Sequence, residues 1–306
     1  MRSYSILISG YKQTSRRTLA ECLSLEASSD VSFEIVFLDN TRDSRHRGMA
    51  EHLFAESETA AVRTRYLAHA TPGKVEAQNQ GIDLATGDYF IFLDDDVLPD
   101  RQLVVAYDRA FQSHDCGAVQ GRVELLFENG ITPPRWLNDR FRLDLAEMDF
   151  GDVILPFEMG LTGANMAYKR DLFDQYGKFD ERLGPGRSGT LEDQEFSERI
   201  REAGEIQLFW PGASVQHVIP PERLRLSSFA SIYFDVGHSD FFLSRDYISG
   251  GRFRFTLYTI KQCLVRLFRT VALSCRLRRS DALVEYCEIF KHYGYWKQAM
   301  RQMRIG

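Results

Sequence analysis

No two of the five cysteines, Cys22, Cys116, Cys263, Cys275 and Cys287, form a CxxC pair, and an odd count fits reduced thiols better than a disulfide framework. No charge-free run reaches the length needed to span a bilayer. Near the amino terminus only Ile6, Leu7 and Ile8 form a consecutive apolar block, too short for the core of a signal peptide. These absences lead to the expectation of a cytoplasmic protein. Gly10 is not followed by GK[ST], so a phosphate-cradling P-loop is excluded there, and neither an internal repeat nor a low-complexity segment is present. With 44% hydrophobic and 26% charged residues over 306 positions, the chain has room for one large or two small globular domains.

The charge that is present is unevenly spread. From Gly251 onward twelve Lys and Arg stand against three Asp and Glu, a balance of +9 that leaves −14 for the rest of a chain whose net charge is −5. An acidic body with a basic, aromatic tail implies two jobs. In the body, residues 4–8, 33–39, 62–68 and 89–94 read as strands, with helical patterns over 15–27 and 74–85 between them. Successive βαβ units of this kind predict an α/β fold with a mostly parallel, nucleotide-binding central sheet flanked by helices. Residues 127–161, with Pro133, Pro134 and Gly151, break the pattern and predict irregular chain.

The stretch YFIFLDDD, residues 89–96, drives an apolar run into three aspartates. Such a run suits a central parallel strand, and ligands bind outside the carboxyl ends of those strands. Two unit charges 4 Å apart repel by about 4 kcal/mol at an effective dielectric near 20, so the cluster calls for a counter-charge, and a hard divalent cation supplies one. Asp94 and Asp96 take that reading, while Asp100 reads as the cap of a helix over 102–111. An EF-hand is excluded because the sixth-position glycine and the closing glutamate are missing. GPGRSG, residues 184–189, matches G-x-G-x-x-G but follows no strand, and reads as a flexible loop. In TLEDQEF, Thr190 and Asp193 stand in the relation of a capping box that opens a helix carrying Phe196 and Ile200. A carboxylate in a first helical turn keeps a low pKa, which also suits a general base, so cap and base both stay open.

In chain order, YSILISGYKQ, EIVFLDN, GKVEAQNQGIDLATGDYFIFLDDD, GANMAYKRDLF, GKFDERLGPGRSGTLEDQEFSERIREAG and VQHVIPPERL resemble the landmarks of a family 2 glycosyltransferase with the GT-A fold. The resemblance implies a GT-A domain over 1–225, with a nucleotide-binding half at 1–125 and an acceptor and catalytic half at 126–225, followed by a helical basic extension at 226–306. It implies a metal-dependent inverting enzyme that moves one sugar from a nucleotide-diphosphate sugar, a UDP-sugar first, to a hydroxyl of a saccharide or lipid-linked saccharide in bacterial-type polysaccharide or glycolipid assembly. By the same resemblance Ser9, Tyr11, Asp39, Lys74, Asn79, Asp94 and Asp95 fall to the donor nucleotide, Asp39 on uracil N3–H and Asp94 nearer the ribose. Asp96 and His217 fall to Mn²⁺ or Mg²⁺, Asp193 to the base with Glu192 beside it, and Trp136, Gly163 and Asn165 to the sugar or acceptor pocket. LDNTRD departs from the family, being shorter and more basic than its usual turn after the second strand. On the residues alone, Asp39 also reads as a turn aspartate, Lys74 as a solvated lysine, His217 as a half-buried histidine and Trp136 as core.

Two other classes stay open. LDDDV fits a haloacid-dehalogenase-like phosphatase with Asp94 as nucleophile and Asp96 as acid, although that motif closes the first strand of its domain and here three strands precede it. A non-catalytic nucleotide-sugar binding subunit is the other, against which the acids Asp96 and Asp193 count. No nucleic-acid partner is expected. In the tail, Leu257, Ile260, Leu264, Leu267, Phe268, Val271 and Cys275 recur at helical spacing among Lys261, Arg266, Arg269, Arg276 and Arg278, which predicts an amphipathic helix. Either its stripe packs on the acidic body, or it lies in the headgroup region of an anionic membrane and makes the protein peripheral on the inner face.

Overall fold

The computed structural model describes residues 1–10, 15–40, 44–57, 62–68, 73–244 and 251–302. Its strands are β1 (Arg2–Gly10), β2 (Val31–Asp39), β3 (Val62–Ala68), β4 (Tyr89–Asp94), β5 (Val97–Pro99), β6 (Ala118–Phe127), β7 (Leu155–Pro156), β8 (Asn165–Lys169) and β9 (Gln207–Ile219). The helices are α1 (Ser15–Cys22), α2 (Ser44–Ser57), α3 (Lys74–Leu84), α4 (Leu103–Ser113), α5 (Asp139–Asp144), α6 (Asp171–Tyr176), α7 (Glu192–Glu202), α8 (Leu226–Leu243), α9 (Gly251–Cys275) and α10 (Arg279–Gln302). They fall into two compact units: Met1–Leu126 with Ala146–Glu181 and Glu192–Val218, and Phe127–Leu145 with Arg182–Leu191 and Ile219–Gly306.

The first unit is built on one sheet of order β3-β2-β1-β4-β8-β6-β9-β5, with β7 on β9. Strands β1 to β4 are mutually parallel, as the succession of βαβ units predicts, and β8 then joins β4 antiparallel. The register sets Gly10 opposite Asp39 and Ser9 opposite Asp94, so two acid-bearing strand ends flank β1 at one edge of the sheet. Helix α3 lies close on that sheet because Gly81 has no side chain: a Cβ there would meet Leu7 and Leu38 at 2.7 and 2.8 Å. The start of α3 is tied to the end of β2 by Gly73 N–H donating to Asn40 Oδ1 at 2.6 Å, which places Lys74 at the same edge. Helix α7 is anchored by Phe196, which stacks on Phe173 with centroids 4.6 Å apart and packs edge-on to Tyr168 and Phe179. Burying each such ring stabilises the unit by roughly 1.5–3 kcal/mol. The first turn of α7 is thereby held in place.

Several local readings change. Helix α1 stops at Cys22 rather than running to residue 27. Helix α7 begins at Glu192, after Leu191 at φ 75°, so Thr190 is not its cap and the capping box is not formed. The GPGRSG segment is stitched by Arg187 N–H and Gly189 N–H donating to Gly184 O, and by Gly184 N–H donating to Thr190 O, rather than being loose. Helix α4 begins at Leu103 with Gln102 as its N-cap, so Asp100 is not its cap; Asp100 instead closes the turn before it, accepting from Gln102 N–H at 2.8 Å.

The second unit is helical. Helix α10 packs against both α8 and α9. Its α9 contacts join the packing of Tyr295 on the buried Phe255 to polar ones: Trp296 Nε1 donates to Thr256 Oγ1 at 3.0 Å, and Arg266 bonds Glu285 at 2.8 Å. The apolar stripe of α9 faces the other way, with Leu264 60% and Phe268 74% exposed. It is therefore not packed, contrary to the first of the two expectations for the tail. Among the described residues no helix is long and apolar enough to cross a membrane.

Candidate active site

Polar groups from three elements converge where α3, the end of β4 and the start of α7 meet. Lys74 Nζ lies 2.7 Å from Asp94 Oδ1 and 3.2 Å from Glu192 Oε1. Asp193 Oδ2 accepts from Gly163 N–H at 2.6 Å, and its Oδ1 accepts from Gln194 N–H at 2.8 Å. A Cβ on Gly163 would stand 3.1 Å from Lys74 Nζ, 3.4 Å from Asp193 Oδ2 and 3.8 Å from Asp94 Oδ1, so the missing side chain lets these three groups come close to the Gly163 backbone.

The electrostatics differ from those expected of a helix start. Burial would lower the Lys74 pKa, but Asp94, Glu192 and Asp193 outweigh it and hold the ammonium well above its usual range. Asp193 is pushed up to about 7, first by burial and then by Glu192, against Lys74 and the two backbone N–H groups. The expectation of a low pKa from the first helical turn is thus overturned. Removing a carboxylate from water costs more than a helix terminus returns. A base titrating near neutrality is better matched to catalysis than a strongly acidic one.

A second pair lies at the β4–β5 turn. Asp96 Oδ1 is 3.3 Å from His217 Nε2, and both side chains are buried. The pairing of Val97 with His217 and the bond from Val218 N–H to Asp96 O at 2.9 Å fix the two side by side. Two donors at adjacent corners of an octahedral ion, each about 2.1 Å from it, stand about 3 Å apart, so this carboxylate and imidazole fit a divalent cation. Among the described residues there is no group of three or more His, Cys, Asp or Glu able to hold one.

The other expected site residues are dispersed. Asp95 turns to α1, where Ser15 Oγ donates to its Oδ2 at 2.7 Å and Thr18 Oγ1 to its carbonyl at 2.9 Å. Asp39 is buried at the end of β2, accepting from Tyr66 OH, with His46 Nδ1 at 3.5 Å. Ser9 is buried beside Asp94, and its hydroxyl has no hydrogen-bond partner among the described residues. Asn79 clamps backbone, exchanging bonds with the N–H and carbonyl of Phe179. Asn165 is fully buried, with its amide taken by Tyr107 OH and the carbonyls of Arg122 and Ala213. Trp136 packs edge-on against Phe141 and Phe229 in the helical unit. Tyr11 lies outside the described residues. Sequence reasoning missed Tyr66 and His46 beside Asp39. The signal for Tyr66 was available, since it stands opposite Phe37, two residues before Asp39, in the parallel register.

Comparison with known proteins gives three findings. A family model described as "Glycosyltransferase like family 2" matches residues 2–231. Succinoglycan biosynthesis protein ExoM of Rhizobium meliloti (strain 1021) is 27% identical over 230 residues, which is 73% of this chain and 70% of that protein. Among solved structures, mannosyltransferase PcManGT from Pyrobaculum calidifontis in complex with GDP-Man and Mn²⁺ superposes with a TM-score of 0.56 at 15% identity, over 79% of this chain. GalNAc-T7 with UDP, GalNAc and Mn²⁺ superposes at 0.52, also at 15% identity, over 77%. The chain spans 65% and 48% of the lengths of those two chains. At such identity the likeness establishes the fold alone, the GT-A arrangement expected from the sequence.

Proposed function

We propose, from the premise that this chain belongs to glycosyltransferase family 2, that it moves one sugar from a nucleotide-diphosphate sugar to an acceptor hydroxyl with inversion at the anomeric carbon. The observation that carries this reading is the convergence of Lys74, Asp94 and Asp193 beside the backbone of Gly163. A transfer of this kind needs a cation facing the donor's phosphates and a base facing the acceptor, within one small volume. Lys74 supplies the first. Asp193, titrating near 7 and held by Gly163 N–H, supplies the second: it takes the hydroxyl proton as the acceptor oxygen bonds to the anomeric carbon and the bond to the diphosphate breaks. Glu192 and Asp94 together hold Lys74 in place.

Asp96 and His217 would hold a divalent cation, Mn²⁺ or Mg²⁺. When bound, such an ion offsets negative charge on the departing nucleoside diphosphate. The unpartnered Ser9 hydroxyl and the carboxylate of Asp39 are the groups for the nucleoside, and a carboxylate accepts well from the N3–H of a pyrimidine, so a UDP-sugar is the first donor to try. The naming of the relative for succinoglycan biosynthesis makes polysaccharide assembly the proposed setting, with a saccharide or lipid-linked saccharide as acceptor. A panel of UDP- and GDP-sugars, scored by mass shift on saccharide acceptors with Mn²⁺ or Mg²⁺ added, tests the reading. Turnover of one donor that vanishes in Asp193→Asn supports it; donor binding without turnover for every acceptor returns the chain to the non-catalytic class.

A further inference from the structure

We infer that α9 is a peripheral docking helix for an anionic lipid surface. The helix is turned inside out relative to a packed amphipathic helix. Its inner face, set against α10, carries Phe255, Thr256 and Arg266, held by the packing of Phe255 on Tyr295, the Trp296 bond and the ion pairs of Arg266 with Glu285 at 2.8 Å and Glu288 at 3.6 Å. This half-buried ion pair, with Phe255 packed beside it, fixes the rotation of α9 about its axis. Its outer face carries Phe253, Leu257, Ile260, Leu264, Phe268 and Val271, from 49% to 76% exposed. A continuous apolar stripe of this length on a folded protein marks an interaction surface.

Charge identifies what covers it. Helix α9 contains no Asp or Glu. Arg254, Lys261, Arg269 and Arg276 recur every seven or eight residues, two helical turns apart, so they line one flank of the stripe. All four are exposed, and among the described residues Arg254, Lys261 and Arg276 make no ion pair. An apolar stripe bordered by a basic rail matches the boundary between acyl chains and anionic headgroups, where bases bind phosphate while the stripe leaves water. A second copy of the chain fits less well, because rails of four bases and no acid on each helix would meet across such an interface. Since no described helix can cross a bilayer, the association is peripheral.

The test uses the full chain. It is expected to co-sediment with vesicles containing phosphatidylglycerol, to release as salt rises, and to leave pure phosphatidylcholine vesicles largely unbound. Each of Lys261→Gln, Arg269→Gln and Arg276→Gln weakens binding about fivefold. Leu264→Glu with Phe268→Glu abolishes it without lowering the melting temperature, since both side chains are already exposed. Failure of the full chain to bind anionic vesicles overturns the inference. A concentration-dependent dimer that these two glutamates dissociate, with no vesicle binding, gives the stripe to a second copy instead. None of these outcomes depends on sugar transfer.

Discussion

In the sheet unit α3 and α7 turn Lys74, Glu192 and Asp193 inward, while in the helical unit α9 turns Leu257, Leu264 and Phe268 outward. Both arrangements reverse the usual partition of charge and oil, and each costs folding free energy that other contacts offset. In the first unit the offset is visible in the aromatic cluster around Phe173 and Phe196 and in the sheet itself. In the second it is visible in the polar seam between α9 and α10. On the function and the docking role proposed above, the difference is that buried charge goes with chemistry and exposed apolar surface with docking.

The largest effect expected from breaking this contrast is at Asp193. Asp193→Asn keeps one of the two backbone hydrogen bonds, since an amide offers a single acceptor oxygen, and removes the base, so transfer falls by roughly 10²- to 10⁴-fold in a protein that still melts cooperatively, as initial rates and thermal unfolding will show. With the Asp193 pKa pushed up to about 7 by burial and Glu192, the wild-type rate rises with pH through that value and levels above it. Stability runs the other way. The unfolded carboxyl releases its proton near pH 4 while the folded one retains it, so the contribution of this group is full at low pH and is lost as pH rises through about 7. Near-normal turnover in a folded Asp193→Asn would move the base to Glu192.

Next in size is Lys74→Met, which leaves Asp94 and Glu192 facing each other with no cation between them. Stability in urea denaturation is expected to fall by about 3 kcal/mol, the scale of a broken buried pair. The rate profile should also move to higher pH, because Lys74 opposes the upward push on Asp193. If stability is unchanged, Lys74 is solvated and the counter-charge argument fails.

The helical unit holds a half-buried acid that tests whether every such group marks chemistry. Asp144 is pushed up to about 6 by burial, with Arg140 as the partly opposing cation, and its Oδ2 has no partner among the described residues. Nothing around it resembles a reaction site, so Asp144→Asn should raise stability by about 2 kcal/mol at pH 8. That gain should shrink as pH drops below 6, where the native carboxyl is protonated, while transfer is untouched. A loss of transfer would sharpen the rule to cover both units.

The smallest effect concerns Asp96→Asn. It is expected to weaken the metal-dependent part of UDP binding at least about tenfold, read by calorimetry with and without Mn²⁺. Unchanged metal dependence would remove Asp96 and His217 from the cation.

Much of the fold was legible because the signals are local. The runs at 33–39 and 89–94 can only be buried strands, and the carboxylates that follow them must emerge at the carboxyl edge. Helix α3 ends within a residue of its expected limit because its pattern is bounded by Gly73 and by the Thr86-Gly87 turn. Other parts were not legible. Asn79 and Asn165 look alike in sequence to residues lining a pocket, yet their amides are taken by backbone groups 100 and 48 positions away. Whether an amide side chain faces a ligand or a carbonyl depends on what the tertiary fold brings beside it.

The sequence by itself determined the order of strands and helices, the edge at which Asp39 and Asp94 emerge, and the amphipathic period of α9, since each follows from side-chain pattern over a few consecutive residues. Only the tertiary structure decided that Asp193 titrates near 7, that Asp96 and His217 stand together, and that the stripe of α9 faces outward. Desolvation, pairing across strands more than a hundred residues apart, and the rotation of a helix against its neighbour are sums over contacts that no local stretch of chain contains.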